Sequence, residues 1–182
     1  SLHDALPICP QIPRTFVGGF IVRLAILAWI SLGLGVVSAQ ARDLTLPDPS
    51  LTPGVTRPGL SKAVICTTKW GKDARHVTAA MKADVFAAYG LSGNDDPACV
   101  ADKNGRHCEI DHLISRELGG ADEVKNLWPE PYGTTPWNAS RKDRVENRLH
   151  KEVCAGHISL AEARKEIKTD WRVPYKRYFG NP

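Results

Sequence analysis

The sequence predicts a small α+β fold, with room in 182 residues for one domain and little more. Three observations carry that reading. Helix signals, with apolar residues at three- and four-residue spacing, mark 73–89, 135–155 and 159–171. Two short β-like runs, 108–111 and 125–128, lie on either side of a Gly119-Gly120 turn. An even set of cysteines, Cys66, Cys99, Cys108 and Cys154, falls within the same stretch and can staple it. No internal repeat is visible.

Residues 1–13, SLHDALPICPQIP, carry no usable pattern and resemble translated adapter sequence. They are set aside together with Cys9. Residues 14–39 read as a secretory signal. Arg14 and Arg23 supply the positive region, and Leu24 to Val37 is an apolar run too short for a comfortable membrane span. Val37-Ser38-Ala39 and Ala39-Gln40-Ala41 both fit a cleavage site. An uncleaved anchor is the alternative. Cleavage predicts an exported protein, periplasmic or extracellular, with no stable membrane span left and a monomer as the expected state.

Residues 40–62, rich in Pro, Thr, Ser and Gly, read as a flexible or extended leader. The domain proper then spans 63–182. Its first segment, AVICTTKW at 63–70, reads as a short strand from its β-branched apolar residues. Asp73 can cap a helix that runs to about Tyr89 and stops at Gly90. Val77, Met81, Val85 and Ala88 form its buried stripe, which makes Met81 a core residue, and His76 is expected at the surface. Residues 91–107 read as loop and hairpin. Asn94-Asp95-Asp96-Pro97 is a solvated turn rather than a metal site.

Thr135 suits the N-cap of the main helix and Pro136 its first position. That helix ends near Cys154-Ala155-Gly156. A last helix begins at Ser159, with Glu162 completing a capping box and Leu160, Ala163, Ile167 and Trp171 facing inward. Pro174 stops it. The tail RVPYKRYFGNP is basic and aromatic, so it either packs or contacts nucleic acid.

In an exported chain four cysteines imply two disulfides with three possible pairings. Asn104-Gly105 is a hairpin-turn signal between Cys99 and Cys108. It favours a local Cys99–Cys108 bridge and leaves Cys66–Cys154, with free thiols as the alternative. No Cys-x-x-Cys is present, which argues against a zinc ribbon. Without Arg14, Arg23 and Asp4 the full chain's 24 Lys+Arg and 20 Asp+Glu become 22 and 19, and this net charge of +3 permits a polyanionic partner without demanding one.

The stretch from Glu109 to Lys142 reads EIDHLISRELGGADEVKNLWPEPYGTTPWNASRK. An Asp111-His112 pair closes the first β-like run, the Gly-Gly turn follows, Asn126 precedes Leu127-Trp128, and Asn138 stands at the start of the main helix. On these residues the chain resembles the HNH endonucleases. The wider pattern, through DHLISRELGGA and VENRLHKEVCAGHISLAEA, resembles an exported branch of that family. The resemblance implies a ββα-metal core over 108–154 with helices flanking it. It implies Asp111 on a divalent metal, His112 as the general base, and Asn126 holding the loop and orienting the imidazole. Many relatives carry a second histidine where this chain has Asn138. That departure favours Mg²⁺ or Mn²⁺ over Zn²⁺.

The residue types suit that chemistry. Phosphodiester hydrolysis needs an activated water, neutralised phosphate charge and a stabilised leaving oxygen, which one metal and one imidazole can supply. On a helical wheel Asn138, Lys142, Val145, Leu149 and Val153 share one stripe. The aliphatics would pin the helix start to the hairpin and aim Asn138 at Asp111, joining an amide and a carboxylate oxygen as hard ligands. Strand side chains alternate, so a site using both Asp111 and His112 requires the strand to end there.

Glu109 is two residues before Asp111, either assisting the metal or lying solvated at the surface. His107 is expected on an exposed hairpin, and His150 and His157 at surface or capping positions. Lys142 either contacts phosphate or covers the helix with its stem. Arg141, Arg144 and Arg148, with Lys151, form a basic flank that either tracks a nucleic-acid backbone or is solvated. Nothing resembles a base-reading module. The expectation is a metal-dependent endonuclease with nucleic acid as partner, DNA ahead of RNA, cut with little sequence preference. A non-catalytic exported module that binds nucleic acid or another polyanion is the alternative. Cleavage of another phosphodiester or envelope substrate at the same site stays open.

Overall fold

The computed structural model describes residues 42–182; the adapter-like and signal segments lie outside them. The described residues form a mixed domain of a two-stranded antiparallel sheet and five α-helices. No helix among them is long and apolar enough to cross a membrane.

The segment expected as a strand is helix α1, Lys62–Thr67. Ser61 caps it by accepting the Val64 amide, and Ile65 is fully buried. Packing against the main helix decides the matter, since Cys66 is bonded to Cys154 there. Local β-propensity is a weak prior against such a contact. Helix α2, Ala79–Ala88, starts later than expected because Thr78, not Asp73, accepts the Met81 amide. Asp73 instead pairs with Arg116 and Arg57. Of the expected stripe Val85 is buried and Val77 and Met81 pack on the core, but Ala88 is exposed and Tyr89 takes its place inside.

Strands β1, Cys108–His112, and β2, Leu127–Pro131, pair antiparallel with Cys108 opposite Pro131 and His112 opposite Leu127. β2 is shifted two residues beyond the expected run. Pro129 and Pro131 are tolerated in a sheet this narrow, where one side of each strand needs no ladder partner. Cys108, Ile110 and Leu127 share a face with His112 and join Val85 and Tyr89 in one core cluster. The other face presents Glu109, Asp111, Trp128 and Glu130.

Helix α3, Ala139–Ala155, is capped by Asn138, whose Oδ1 accepts the Arg141 amide at 3.2 Å. Thr135 is therefore not the cap, and Thr135-Pro136 is a cis peptide before the helix. Gly156 ends α3 in the left-handed conformation that only glycine adopts without strain. Lys142, Val145, Leu149 and Val153 are buried, as the wheel requires. Helix α4, Leu160–Asp170, has its Ser159 cap, and Ala163, Ile167 and Trp171 are fully buried. Pro174 does not end the chain's helicity. A short α5, Arg172–Phe179, follows at once and accepts the proline in its first turn, where no intrahelical N–H is needed. The basic tail therefore packs: Trp137 meets Trp171 and Tyr175 edge to face.

The leader is extended over its described residues, yet it is not free. Leu44 is buried, Trp128 and Trp171 donate their indole N–H to the Leu44 and Thr45 carbonyls, and Thr56 bridges to Gly120. Both disulfides, Cys66–Cys154 and Cys99–Cys108, are formed.

Candidate active site

The strand β1 ends at His112, as a motif using two adjacent side chains requires. The chain then runs through Leu113–Ala121 back towards β2. Asn126 holds that loop. Its Oδ1 accepts the Ile114 and Val55 amides, and its Nδ2 donates to the Ile114 and Ala121 carbonyls. Its own carbonyl accepts the Leu113 amide at 2.8 Å. Gly120 is sterically required here: a Cβ would lie 1.7 Å from the Ile114 carbonyl oxygen.

The hydrogen bonds of the Asn126 side chain all go to backbone and none to the His112 ring. The residue that orients the imidazole is Asp122, whose Oδ1 lies 2.7 Å from Nε2. Asp122 is itself fixed by the His76 amide at 2.7 Å, so His76 contributes its backbone. Burial alone would raise the Asp122 carboxyl, but bonds from His76 and His112 hold it below its usual range. An ionised acceptor at Nε2 puts the ring proton there and leaves the lone pair on Nδ1. Burial pulls the His112 pKa below its ordinary value despite the nearby Asp111 and Asp122 charges. The ring is thus neutral near pH 7.

Asp111 and His112 open into one cleft of about 280 Å³, shared with Trp70, Arg75, Arg116 and Glu146. Arg75 donates to the Ile110 carbonyl, and Arg116 is anchored to Asp73. Both guanidinium groups therefore stand at the cleft on fixed bases.

Lys142 is fully buried. Its Nζ donates to Asp111 Oδ2 at 2.5 Å, to the His112 carbonyl at 2.7 Å and to Glu146. It therefore neither covers the helix nor reaches a phosphate. Burial disfavours its charge, but Asp111, Glu146 and Glu130 together raise its pKa above the usual lysine value. In return, burial would raise Asp111, yet Lys142 and His112 hold it ionised, below its usual range.

Asn138, expected beside Asp111 as a ligand, is committed elsewhere. Its Oδ1 caps α3 and its Nδ2 donates to the Thr134 carbonyl at 3.1 Å. It does not line the cleft. The basic flank also lies apart from the cleft. Arg144 stacks on Phe179 at 4.2 Å and donates to the Tyr175 hydroxyl. Arg148 pairs with Glu152 and covers Tyr178, and Arg141 donates to the Pro136 carbonyl.

Glu109 is not a solvated surface residue. Its Oε2 accepts the Tyr132 hydroxyl at 2.6 Å and its Oε1 is buried without a partner. Burial, and then Asp111, push its pKa up to about 7. Glu130, opposite it in the sheet, is fully buried, and burial drives its carboxyl well above the usual range. His107 bonds the Cys99 carbonyl, His157 pairs with Glu152 at the end of α3, and His150 sits by the Cys66–Cys154 bridge. No family model, curated protein or solved structure matches this chain.

Proposed function

We propose that the protein is a metal-dependent endonuclease of the HNH type, hydrolysing phosphodiester bonds in nucleic acid, DNA ahead of RNA. The observation that carries the reading is His112: a neutral imidazole in an open cleft, its Nε2 held by Asp122, beside a half-buried ionised Asp111. Nδ1 is the nitrogen able to take a proton from water. Arg75 and Arg116 offer fixed positive charge to the phosphate oxygens. Asp122 keeps the tautomer and orientation of the base.

The donors at hand fit a hard divalent cation, Mg²⁺ or Mn²⁺. Asp111 supplies an ionised oxygen, and its carboxylate already holds one cation, the Lys142 ammonium. Asn138 does not fit, because its amide oxygen is engaged in capping. Such a cation supplies Lewis-acid stabilisation of the phosphate and leaving oxygen. The two disulfides agree with an exported protein in an oxidising compartment, periplasmic or extracellular.

The alternative, an exported module that binds polyanions without cleaving them, is favoured by one feature: Lys142 occupies an oxygen of Asp111. Purified protein incubated with plasmid DNA and with RNA, with and without Mg²⁺ or Mn²⁺, separates the two. Metal-dependent cleavage that His112→Ala abolishes supports the endonuclease. Binding without cleavage under all these conditions refutes it.

A further inference from the structure

The geometry points to Glu109, Asp111 and Glu130 as the carboxylate ligands of one divalent cation, held between the two strands. This rests on the reading of Asp111 as the cation's ligand and supplies the partners that Asn138 does not. One carboxylate oxygen from each residue lies within 4.8 Å of the other two. The register produces the cluster: Glu109 and Asp111 are two apart on β1, and Glu130 stands directly across from Glu109 on β2. All three therefore rise from the same face of the sheet.

Glu130 is the independent observation. Its side chain is 0% exposed, and neither Oε1 nor Oε2 has a hydrogen-bond partner. A buried carboxyl with both oxygens orphaned is costly whether ionised or protonated. Glu109 adds a third orphaned oxygen, Oε1, to the same cluster. Among the described residues the cation touching the group is the Lys142 ammonium, which bonds Asp111 and Glu146 but neither Glu109 nor Glu130. Four carboxylates thus surround one ammonium that bonds only two of them. Oxygen-only donors with surplus negative charge select a hard divalent ion over zinc.

The test is Mn²⁺ binding to the purified full chain after chelator treatment, counted by the electron paramagnetic resonance of free Mn²⁺. Wild type is expected to bind Mn²⁺ and to gain thermal stability from it. Glu130→Gln should weaken that binding about 10–100-fold, the range for loss of supporting metal-site groups, and erase the thermal gain. Its melting temperature without metal should be equal to wild type or higher, because the amide removes a buried carboxyl; this excludes misfolding as the cause. Glu109→Gln should act in the same direction. Wild-type protein that binds no Mn²⁺, or Glu130→Gln that binds it as wild type does, overturns the assignment. Mn²⁺ binding lost in Glu130→Gln, in a protein that cleaves nothing, keeps this site and removes the endonuclease reading. Wild-type Mn²⁺ affinity in a Glu130→Gln protein that still cleaves does the reverse.

Discussion

The two disulfides should differ in their effect on stability, and the structure says by how much. Cys66–Cys154 spans 88 residues and ties α1 to α3; Cys99–Cys108 spans 9 and closes a loop before β1. In the chain-entropy account a crosslink stabilises by restricting the unfolded chain, and the effect grows with the logarithm of loop length. That gives about 4.5 kcal/mol for the long bridge and about 2.5 for the short one at 25 °C. Cys66→Ser with Cys154→Ser should therefore cost about 2 kcal/mol more than Cys99→Ser with Cys108→Ser. The long bridge also pins α1, a six-residue helix with only Ile65 buried, too short to persist alone. Urea unfolding, followed by tryptophan fluorescence with m-values compared, measures the difference. Hydrogen exchange should show 62–67 opening first in the long-bridge variant. Equal losses, or a larger loss from the short bridge, would refute the loop-entropy argument for this fold.

Five further outcomes follow from the cleft. His112→Ala should lower single-turnover cleavage about 10²–10⁴-fold, the range for a positioned base, with Mn²⁺ affinity kept; cleavage at the wild-type rate sinks the mechanism. Asp122→Asn should lower the rate without loss of metal, and should also change the imidazole tautomer populations seen by ¹⁵N NMR. The rate should rise with pH through a value below the free imidazole's ordinary 6.5 or so, because burial lowers His112 and the neutral ring is the proposed base. The same depressed value means that the unfolded chain holds this proton more tightly, so stability from this group is present above about pH 6.5 and is lost as pH falls through that window. Arg75→Gln should flatten the plot of log affinity against log salt by about one unit, whereas Arg144→Gln should leave it unchanged because Arg144 is stacked on Phe179.

What was legible in the sequence was local. The Ser159 cap, the Gly156 stop, the buried stripe of α3 and the Asn104-Gly105 turn beside the short bridge are each fixed by neighbours within a few residues. What was not legible depends on distant partners. AVICTTKW carries a strand's composition, but its contact with α3 makes it a helix. The leader looks free because its anchors are backbone carbonyls that accept from Trp128 and Trp171. Asp122 sits ten positions beyond His112 in an ordinary turn, and only the folded loop brings it to the ring. Glu130 lies between two prolines, WPEP, which reads as loop; once the strand register is known, its place opposite Glu109 follows. One signal was available for Lys142: the wheel put it on the same stripe as Val145, Leu149 and Val153, where a lysine has to find carboxylates.

That lysine explains why the contact between α3 and the hairpin is charged at all. An apolar side chain at 142 would continue the stripe and spare the desolvation of an ammonium and its partners, and such replacements are often neutral or stabilising. Removing Lys142 alone would instead leave half-buried Asp111 and Glu146 and buried Glu130 without their shared cation, a loss of about 3–5 kcal/mol. The arrangement therefore makes sense only if the carboxylates must be there. In the proposed mechanism Asp111 is needed in the cleft, ionised, next to the base, and Lys142 keeps it ionised while bonding the His112 carbonyl at the end of the strand. Ordinary packing logic holds everywhere else along α3 and fails at this position. Buried charge concentrated at a single turn of an otherwise aliphatic buried stripe, against a cleft, is the pattern expected where folding yields to chemistry. If Lys142→Met costs less than about 1 kcal/mol in metal-free protein, the carboxylates are not coupled through it, and this account of the charged contact is wrong.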